Sequence, residues 1–327
     1  MKGLIRFGVM ATILLSCRAL PEESPMPSRK IQTHAGPEDM DIDSVNGNPA
    51  LLIACDDRRC KDECTQGMIL RFDLVSRQMD TLPRVGEPEG LKFHPHGVDV
   101  VPDSMGSLLF VVNHPDAFTD AILVYRISAQ SLQFLKSVSS PHFTSPNAVV
   151  GMKDDLFWVS NDRWDKDKMG EVLMTKAKSR LVQCQGNHQF VTGLPVAFGN
   201  GVLVRQGRMY QAATRGNAIY RYEIRSDSVT QRSEWCKLIG PDNLREVEGA
   251  LLVACHLRGM KFMKHAMNAN KISPTAVYRV PWSTGKPELL FFDRGDDISA
   301  GSTAIQWKGH LYISQVFEPF ILEVDLN

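Results

Sequence analysis

The sequence predicts an all-β chain folded as a six-bladed β-propeller, on three observations. Short apolar runs ending in a polar turn recur six times: ALLIACDD from Ala50, LLFVVNHPD from Leu108, LFWVSND from Leu156, RMYQAATRGN from Arg208, LLVACHLRG from Leu251 and LYISQVFEP from Leu311. Each is followed by a second strand-like run, MILRFDL, AILVYRI, EVLMTKA, AIYRYEI, AVYRVPW and FILEVDL, so that each pair reads as a hairpin. The period is roughly 50 residues, that of four-stranded blades set around a channel, and no helical periodicity of useful length follows the first segment. A β-sandwich would use the same strands without requiring a sixfold period.

In chain order, residues 1–17, MKGLIRFGVMATILLSC, place Lys2 and Arg6 ahead of the largely apolar run Phe7 to Leu15. That is the layout of a secretory signal, and it is too short to span a bilayer. The protein is therefore expected to be exported. LLSC resembles a bacterial lipoprotein cleavage box, which would leave Cys17 lipidated as a membrane tether at the periplasmic or outer-membrane surface. An ordinary signal peptide with an incidental cysteine, and a secreted product, is the other reading. Residues 18–30, rich in Pro, Ser and Glu, read as a tether, and residues 31–327 as a single propeller domain. Because FILEVDLN ends the chain just after the sixth hairpin, RKIQTH from Arg29 is expected to supply the outermost strand of the last blade and close the ring.

Charge and cysteines narrow the class further. Lys+Arg and Asp+Glu both number 37, so the formal charge is zero, and with no basic stripe for phosphates nucleic-acid binding is excluded as a working reading. Six cysteines remain after Cys17. Cys55, Cys60 and Cys64 share one loop at a spacing that matches no tidy zinc pattern, so a local disulfide is expected there; Cys184, Cys236 and Cys255 read as strand residues.

Function enters through the short stretch upstream of each hairpin: EDMDI from Glu38, HGVDVV from His96, NAVVG from Asn147, NGVLV from Asn200, DNLREV from Asp242 and STAIQ from Ser302. All six open on a polar residue. In a propeller the innermost strands all begin at the same end of the channel, so these residues should ring its mouth. Glu38, Asn147, Asn200, Asp242 and Asn243 then converge on one point. Carboxylates and amide oxygens from separate blades, without cysteine, suit a hard cation and favour Ca²⁺ over Zn²⁺; without an ion their burial would be costly. Taken singly, Asn and Asp before a strand also make ordinary turns.

At these residues the chain resembles the paraoxonase/arylesterase family of calcium-dependent lactonases, six-bladed propellers. The resemblance rests on GPEDMDI, FHPHGV, VVNHPDA, AFGNG, PDNL, ACHLRGMK and AGSTAIQWKGHLYI, in family order from about residue 36 to the C-terminus. It implies that Glu38, Asn147, Asn200, Asp242 and Asn243 hold the catalytic calcium. It implies that His96 and His114 are the pair associated with water activation, that Phe198 and His256 wall the substrate region, and that Cys255 sits where no nucleophile is required. It further implies a second, structural calcium at Asp39 and the Val98 carbonyl. The acid that would complete that site is here Ala148, so the second ion is expected to be weak, differently held or absent. Arg163 stands where better-known members have histidine, and the disulfide that joins their chain ends has no counterpart.

The function expected on these grounds is calcium-dependent hydrolysis of lactones and aryl esters. The ion would polarise the carbonyl, His96 would take a proton from water, and His114 would orient it or relay the proton. Asp242 as nucleophile or base is the rival mechanism. A gluconolactonase-like sugar lactonase and a non-catalytic calcium-bound binding module are the alternative functions. No Gly-x-Ser-x-Gly elbow is present, which argues against an α/β serine hydrolase. The stretch DRWDKDK from Asp162 reads as a solvated loop, with Trp164 a candidate contact for incoming substrate.

Overall fold

The apolar runs become strands buried on both faces. In Ala50–Cys55 and Ala250–Cys255 all six side chains are buried, which is why they read as continuous hydrophobic stretches without polar alternation. The computed structural model describes residues 19–23, 25–44, 48–60, 64–115, 119–152, 155–165, 176–225 and 228–326. The expected signal segment, Cys17 included, lies outside the described residues.

Six antiparallel sheets form the blades. Blade 1 contains β2 (Pro37–Asp43), β3 (Ala50–Cys55), β4 (Met68–Asp73) and β5 (Met79–Thr81). Blade 2 contains β7 (Pro95–Asp103), β8 (Gly106–Asn113), β9 (Ala121–Ile127) and β10 (Leu132–Ser139), with the short β6 (Arg84–Val85) parallel to β10 at its edge. Blade 3 is β11 (Pro146–Gly151), β12 (Leu156–Asn161), β13 (Ser179–Gln185) and β14 (His188–Val196). Blade 4 is β15 (Gly199–Arg205), β16 (Arg208–Ala213), β17 (Ala218–Arg225) and β18 (Ser228–Lys237). Blade 5 is β19 (Pro241–Val247), β20 (Ala250–Cys255), β21 (Thr275–Pro281) and β22 (Glu288–Asp293). Blade 6 takes β23 (Gly301–Trp307), β24 (His310–Gln315) and β25 (Phe320–Asp325) from the C-terminal end. Its fourth strand is β1 (Ser28–Gln32), which pairs antiparallel with β25 from Ser28 opposite Val324 to Gln32 opposite Phe320. Strand pairing thus closes the ring, with the segment the sequence nominated.

A separate apolar core fills each space between neighbouring blades. Leu52, Ile69, Leu109 and Tyr125 pack between blades 1 and 2, and Val202, Met209, Trp158 and Leu181 between blades 3 and 4. Burial on both faces of every blade drives the ring shut.

Three features differ from the sequence expectation. First, β12 pairs with β13, Ser179–Gln185, and not with EVLMTKA, most of which lies outside the described residues. Both runs are apolar enough for a strand, and periodicity alone cannot rank them. Second, α1 (Gly259–Met267) follows β20; nine residues without a side-chain N-cap are too few to show a helical period. Third, β1 begins inside the 18–30 stretch, and Leu20 and Met26 pack beside the cores of blades 4–5 and 5–6, so this stretch lies along the propeller. Among the described residues no helix is long and apolar enough to cross a membrane.

The six inner strands share one device. Each begins with Pro or Gly: Pro37, Pro95, Pro146, Gly199, Pro241 and Gly301. In each, the register with the second strand slips within the next three residues. A bulge re-aims the residues it contains, and Pro tolerates the first position of a strand because it need not donate there. Four of these bulged starts are approached through a left-handed residue, Gly36, Phe198, Gly240 or Ala300, at φ of 64°, 60°, 59° and 55°. The second position of each strand is Glu38, His96, Asn147, Asn200, Asp242 or Ser302, which puts the six polar residues at one end of the channel.

Candidate active site

Five of the six bulges deliver a polar side chain to a cavity of about 490 Å³ at the channel mouth. Glu38, His96, Asn147, Asn200 and Asp242 line its floor side. Phe198, His256, Ile239, Leu257 and Val316 supply further wall, and α1 adds Met260, Phe262 and Met263. All five candidate metal ligands are buried.

Asp242 is the most heavily engaged of them. Ser302 Oγ donates to its Oδ2 at 2.8 Å, His256 Nε2 lies 2.8 Å from the same oxygen, and Asn200 Nδ2 donates to its Oδ1. Asn200 Nδ2 also reaches Thr214 Oγ1 at 3.2 Å, and Thr214 in turn donates to the Pro241 carbonyl at 2.7 Å. With its amide nitrogen so occupied, Asn200 is left with a buried Oδ1 that has no partner. Asn243 stands beside Asp242 off the cavity wall, its Nδ2 donating to Ser302 and Thr303 at 3.3 and 3.0 Å.

Glu38 sits between Arg58 and His96. Arg58 Nε donates to its Oε2 at 2.9 Å, and His96 Nε2 lies 3.0 Å from its Oε1, within ion-pair distance but without hydrogen-bond geometry. Burial pushes the Glu38 carboxyl up, but the neighbouring His96 and Arg58 and the Arg58 hydrogen bond outweigh it and hold the group well below the usual carboxylate range. Arg58 is anchored in turn by Asp56 at 3.0 Å and by the Pro95 carbonyl at 2.6 Å.

His114 stands behind His96, off the cavity wall, with the two rings edge-on. Its Nδ1 is 2.7 Å from Asp120 Oδ1. A carboxylate only accepts, so Nδ1 carries the proton and Nε2 is the unprotonated nitrogen of the neutral ring. Burial, partly offset by the Asp120 hydrogen bond, lowers the affinity of His114 for a second proton. Cys255 is buried on β20, and burial followed by the Asp242 charge pushes its thiol well above the ordinary range, so it offers no thiolate.

Asp39 and Val98 also stand off the cavity wall. Both are bonded to Arg245: Nη2 donates to Asp39 Oδ1 and Oδ2 at 2.8 and 3.0 Å and to the Val98 carbonyl at 2.8 Å. Ala148 is buried in the blade 3–4 core.

Several cavity residues escaped sequence reading. Thr214 comes from a polar turn with no distinguishing neighbours; Arg58, which does not line the cavity but holds Glu38, comes from the loop whose Cys60 and Cys64 form the local disulfide. Arg163 lines the cavity, donating to Asp162 Oδ1 and Ser145 Oγ at 3.2 Å, whereas Trp164 is not on the wall. The helix is held over the mouth by Phe262 and Ala266 packing on Val316 and Phe317. Arg59 adds donations to Glu318 Oε1 at 2.8 Å and to the His265 carbonyl at 2.9 Å. The contacts that seat the helix have no local sequence signature, because each joins segments far apart in the chain.

Among the described residues no cluster of three or more His, Cys, Asp and Glu is arranged to hold a metal ion. The mouth instead combines two carboxylates with amide oxygens, one of them the unpartnered Asn200 Oδ1. An all-oxygen donor set with a buried oxygen awaiting a partner fits a hard cation such as Ca²⁺ and does not suit Zn²⁺.

Comparison with known proteins agrees with this architecture. The mouse serum paraoxonase/arylesterase 1 is 24% identical over 274 residues, covering 78% of this chain and 76% of the relative. The bovine serum paraoxonase/arylesterase 2 is 27% identical over 265 residues, covering 77% and 75%. Among solved structures, a calcium-binding regucalcin from Agrobacterium tumefaciens superposes with a TM-score of 0.57 at 11% identity, over 93% of this chain and 95% of that one. A luciferin-regenerating enzyme superposes at 0.56 and 11% identity over 92% and 95%. At such identities the structural likeness speaks for the fold. The family model described as Arylesterase matches residues 62–323, most of the propeller and five of the six polar strand starts, and on that match the chain belongs to the arylesterase family.

Proposed function

We propose that the protein is a calcium-dependent hydrolase of lactones and aryl esters, acting outside the reducing cytosol. The observation that carries the reading is the mouth itself, where Asn200 Oδ1 is buried and unpartnered beside Glu38 and Asp242, with His96 on the same wall. The calcium ion would be held by Glu38, Asn147, Asn200, Asp242 and Asn243, and would supply a Lewis acid for the substrate carbonyl. Membership of the arylesterase family and the names of the curated relatives support ester hydrolysis, and the calcium-binding neighbour supports the choice of ion. The Cys60–Cys64 disulfide supports an oxidising compartment and thus export. Lipidation at Cys17 is proposed only as the means of anchoring.

The chain's own groups do the following. Phe198, Leu257, Met260 and Phe262 exclude water from the apolar part of the substrate and leave the polar floor for the ester group. His96, on the cavity wall, accepts the proton of the attacking water on its imidazole ring. The water oxygen bonds to the carbonyl carbon, the C–O bond to the leaving oxygen breaks, and the proton held on His96 is returned to the leaving alkoxide. A lactone gives a hydroxy acid and an aryl ester gives an acid and a phenol. Asp120 fixes the His114 ring, and His114 fixes the edge against which His96 rests. His256, close to Asp242 Oδ2, holds that carboxylate in place.

The test is hydrolysis of a lactone panel and phenyl acetate by protein lacking residues 1–17, with and without a calcium chelator. Activity abolished by the chelator and restored by calcium is expected. A folded, calcium-binding protein with no hydrolysis of any of them would refute the enzyme reading in favour of a binding propeller, and turnover confined to sugar lactones would favour the gluconolactonase-like reading.

A further inference from the structure

We infer that the Arg245 guanidinium is the structural cation of this propeller's channel, occupying the place where a second metal ion would bind, so that the chain takes one divalent ion and not two. The resemblance assigns a second ion to Asp39 and the Val98 carbonyl, and the residues present do not fit one. Arg245 Nη2 lies 2.8 and 3.0 Å from the two Asp39 carboxylate oxygens and 2.8 Å from the Val98 carbonyl oxygen. A calcium ion on those oxygens, at about 2.3–2.6 Å from each, would stand almost on top of Nη2 and be repelled by its charge. The third ligand that the resemblance implies for such an ion, an acid, is missing, because Ala148 stands at its position.

The guanidinium does mechanically what an ion would do. Arg245 is on β19 of blade 5, and its side chain is 11% exposed. It reaches blade 1 at Asp39 and, through Nε, at the Met40 carbonyl at 2.9 Å; it reaches blade 2 at Val98 O. Nε also lies 3.7 Å from Asp41 Oδ1. Those acids carry the links onward. Asp39 Oδ2 accepts from Val98 N and Asp39 Oδ1 from Thr303 Oγ1 of blade 6, while Asp41 Oδ2 accepts from Val100 N. One arginine therefore ties the inner strands of blades 1, 2 and 5 directly, and blade 6 through Asp39. The inner strands contact their ring neighbours in the order β2, β7, β11, β15, β19, β23, so this link crosses the channel instead of following its rim. A planar, permanently charged five-donor group is suited to bridge a carboxylate and several carbonyls in a way that lysine is not.

The inference is independent of hydrolysis and is tested by calcium binding and melting. In an Asn200→Ala/Asp242→Ala background, which removes the mouth site, the Tm of the Arg245 protein is expected to be the same in chelator and in millimolar calcium. Adding Arg245→Met should lower the Tm by about 5–10 °C in chelator, since it leaves Asp39 without its cation, and calcium should recover part of the loss. In the chain with its mouth site intact, calcium titration should give one ion per chain. Two ions per chain, a calcium-dependent Tm in the double variant that Asp39→Asn abolishes, or an Arg245→Met protein as stable as its parent would each overturn the inference. If Arg245→Met does not fold, Asp39→Asn decides alone. It is expected to lower the Tm equally with and without calcium, and a loss seen only with calcium would show that an ion had been there.

Discussion

The rings of His96 and His114 stand edge-on, with 5.1 Å between centroids and 77° between planes. Only His96 of the two lines the cavity. The pair is thus ordered, with one histidine facing substrate and one behind it, tied to Asp120. His96→Gln is expected to reduce lactone hydrolysis by about 10²–10⁴-fold while calcium affinity stays near that of the parent. Undiminished turnover would instead point to Asp242 as the base. Asp120→Asn, which lets His114 turn, should cost about tenfold and alter the pH profile, and His114→Gln should resemble it.

Thr214 is a positioning residue for the ion site. Its hydroxyl donates to the Pro241 carbonyl and accepts from Asn200 Nδ2, which leaves the amide oxygen of Asn200 as the free end. Thr214→Val should weaken calcium binding by about tenfold, in the range seen when the partner of a metal ligand is removed. Isothermal titration reads the effect, and an unchanged affinity would mean that Asn200 is oriented by Asp242 alone.

Gly240 carries the chain into β19 at φ 59°, where an added Cβ would lie 2.1 Å from the His256 carbonyl oxygen. Gly207, at φ 71°, has no atom within 4 Å of the same position. Gly240→Ala should therefore cost more than the roughly 1–2 kcal/mol of left-handed backbone strain expected for Gly207→Ala, and should displace His256 as well. Urea midpoints of the two variants make the comparison. Equal losses would show that the His256 carbonyl yields freely.

Ring closure is expected to be acid-sensitive. Burial would raise the Glu323 carboxyl of β25, but hydrogen bonds from Arg29 of β1, Arg77 and Tyr312, with the charge of Arg77, hold it at about 2. A carboxyl whose folded pKa is depressed contributes stability that is present above its unfolded value of about 4.3 and is lost as pH falls through the folded value. The stability of the parent should thus decline between about pH 4.5 and pH 2, and Glu323→Gln should be less stable at pH 7 with a flatter acid profile. Parallel profiles for the two proteins would remove Glu323 from the account of closure.

Much of this protein is legible in its sequence because a propeller repeats. Six apolar runs with polar ends, and six polar residues in the same phase, are enough to place Glu38, His96, Asn147, Asn200, Asp242 and Ser302 at one end of a channel, since the innermost strand of every blade starts there. The closing strand at Arg29 follows from counting strands in the last blade. These are properties of local hydrophobic pattern and connectivity, which a chain carries in order.

Tertiary structure alone decided the rest, and the physical reason is the same throughout: contacts between segments far apart in the chain leave no periodic trace. The αL backbone of Phe198 and Ala300 depends on the bulged strand that follows each. The choice of Ser179–Gln185 as the third strand of blade 3 rests on its pairing with β12 on one side and β14 on the other. The seat of α1 over the mouth depends on Arg59, His265 and Glu318, and the filling of the channel between Asp39 and Val98 on an arginine more than 140 residues from either. Sequence set the ring and its polar phase; the fold decided which cation each acid meets.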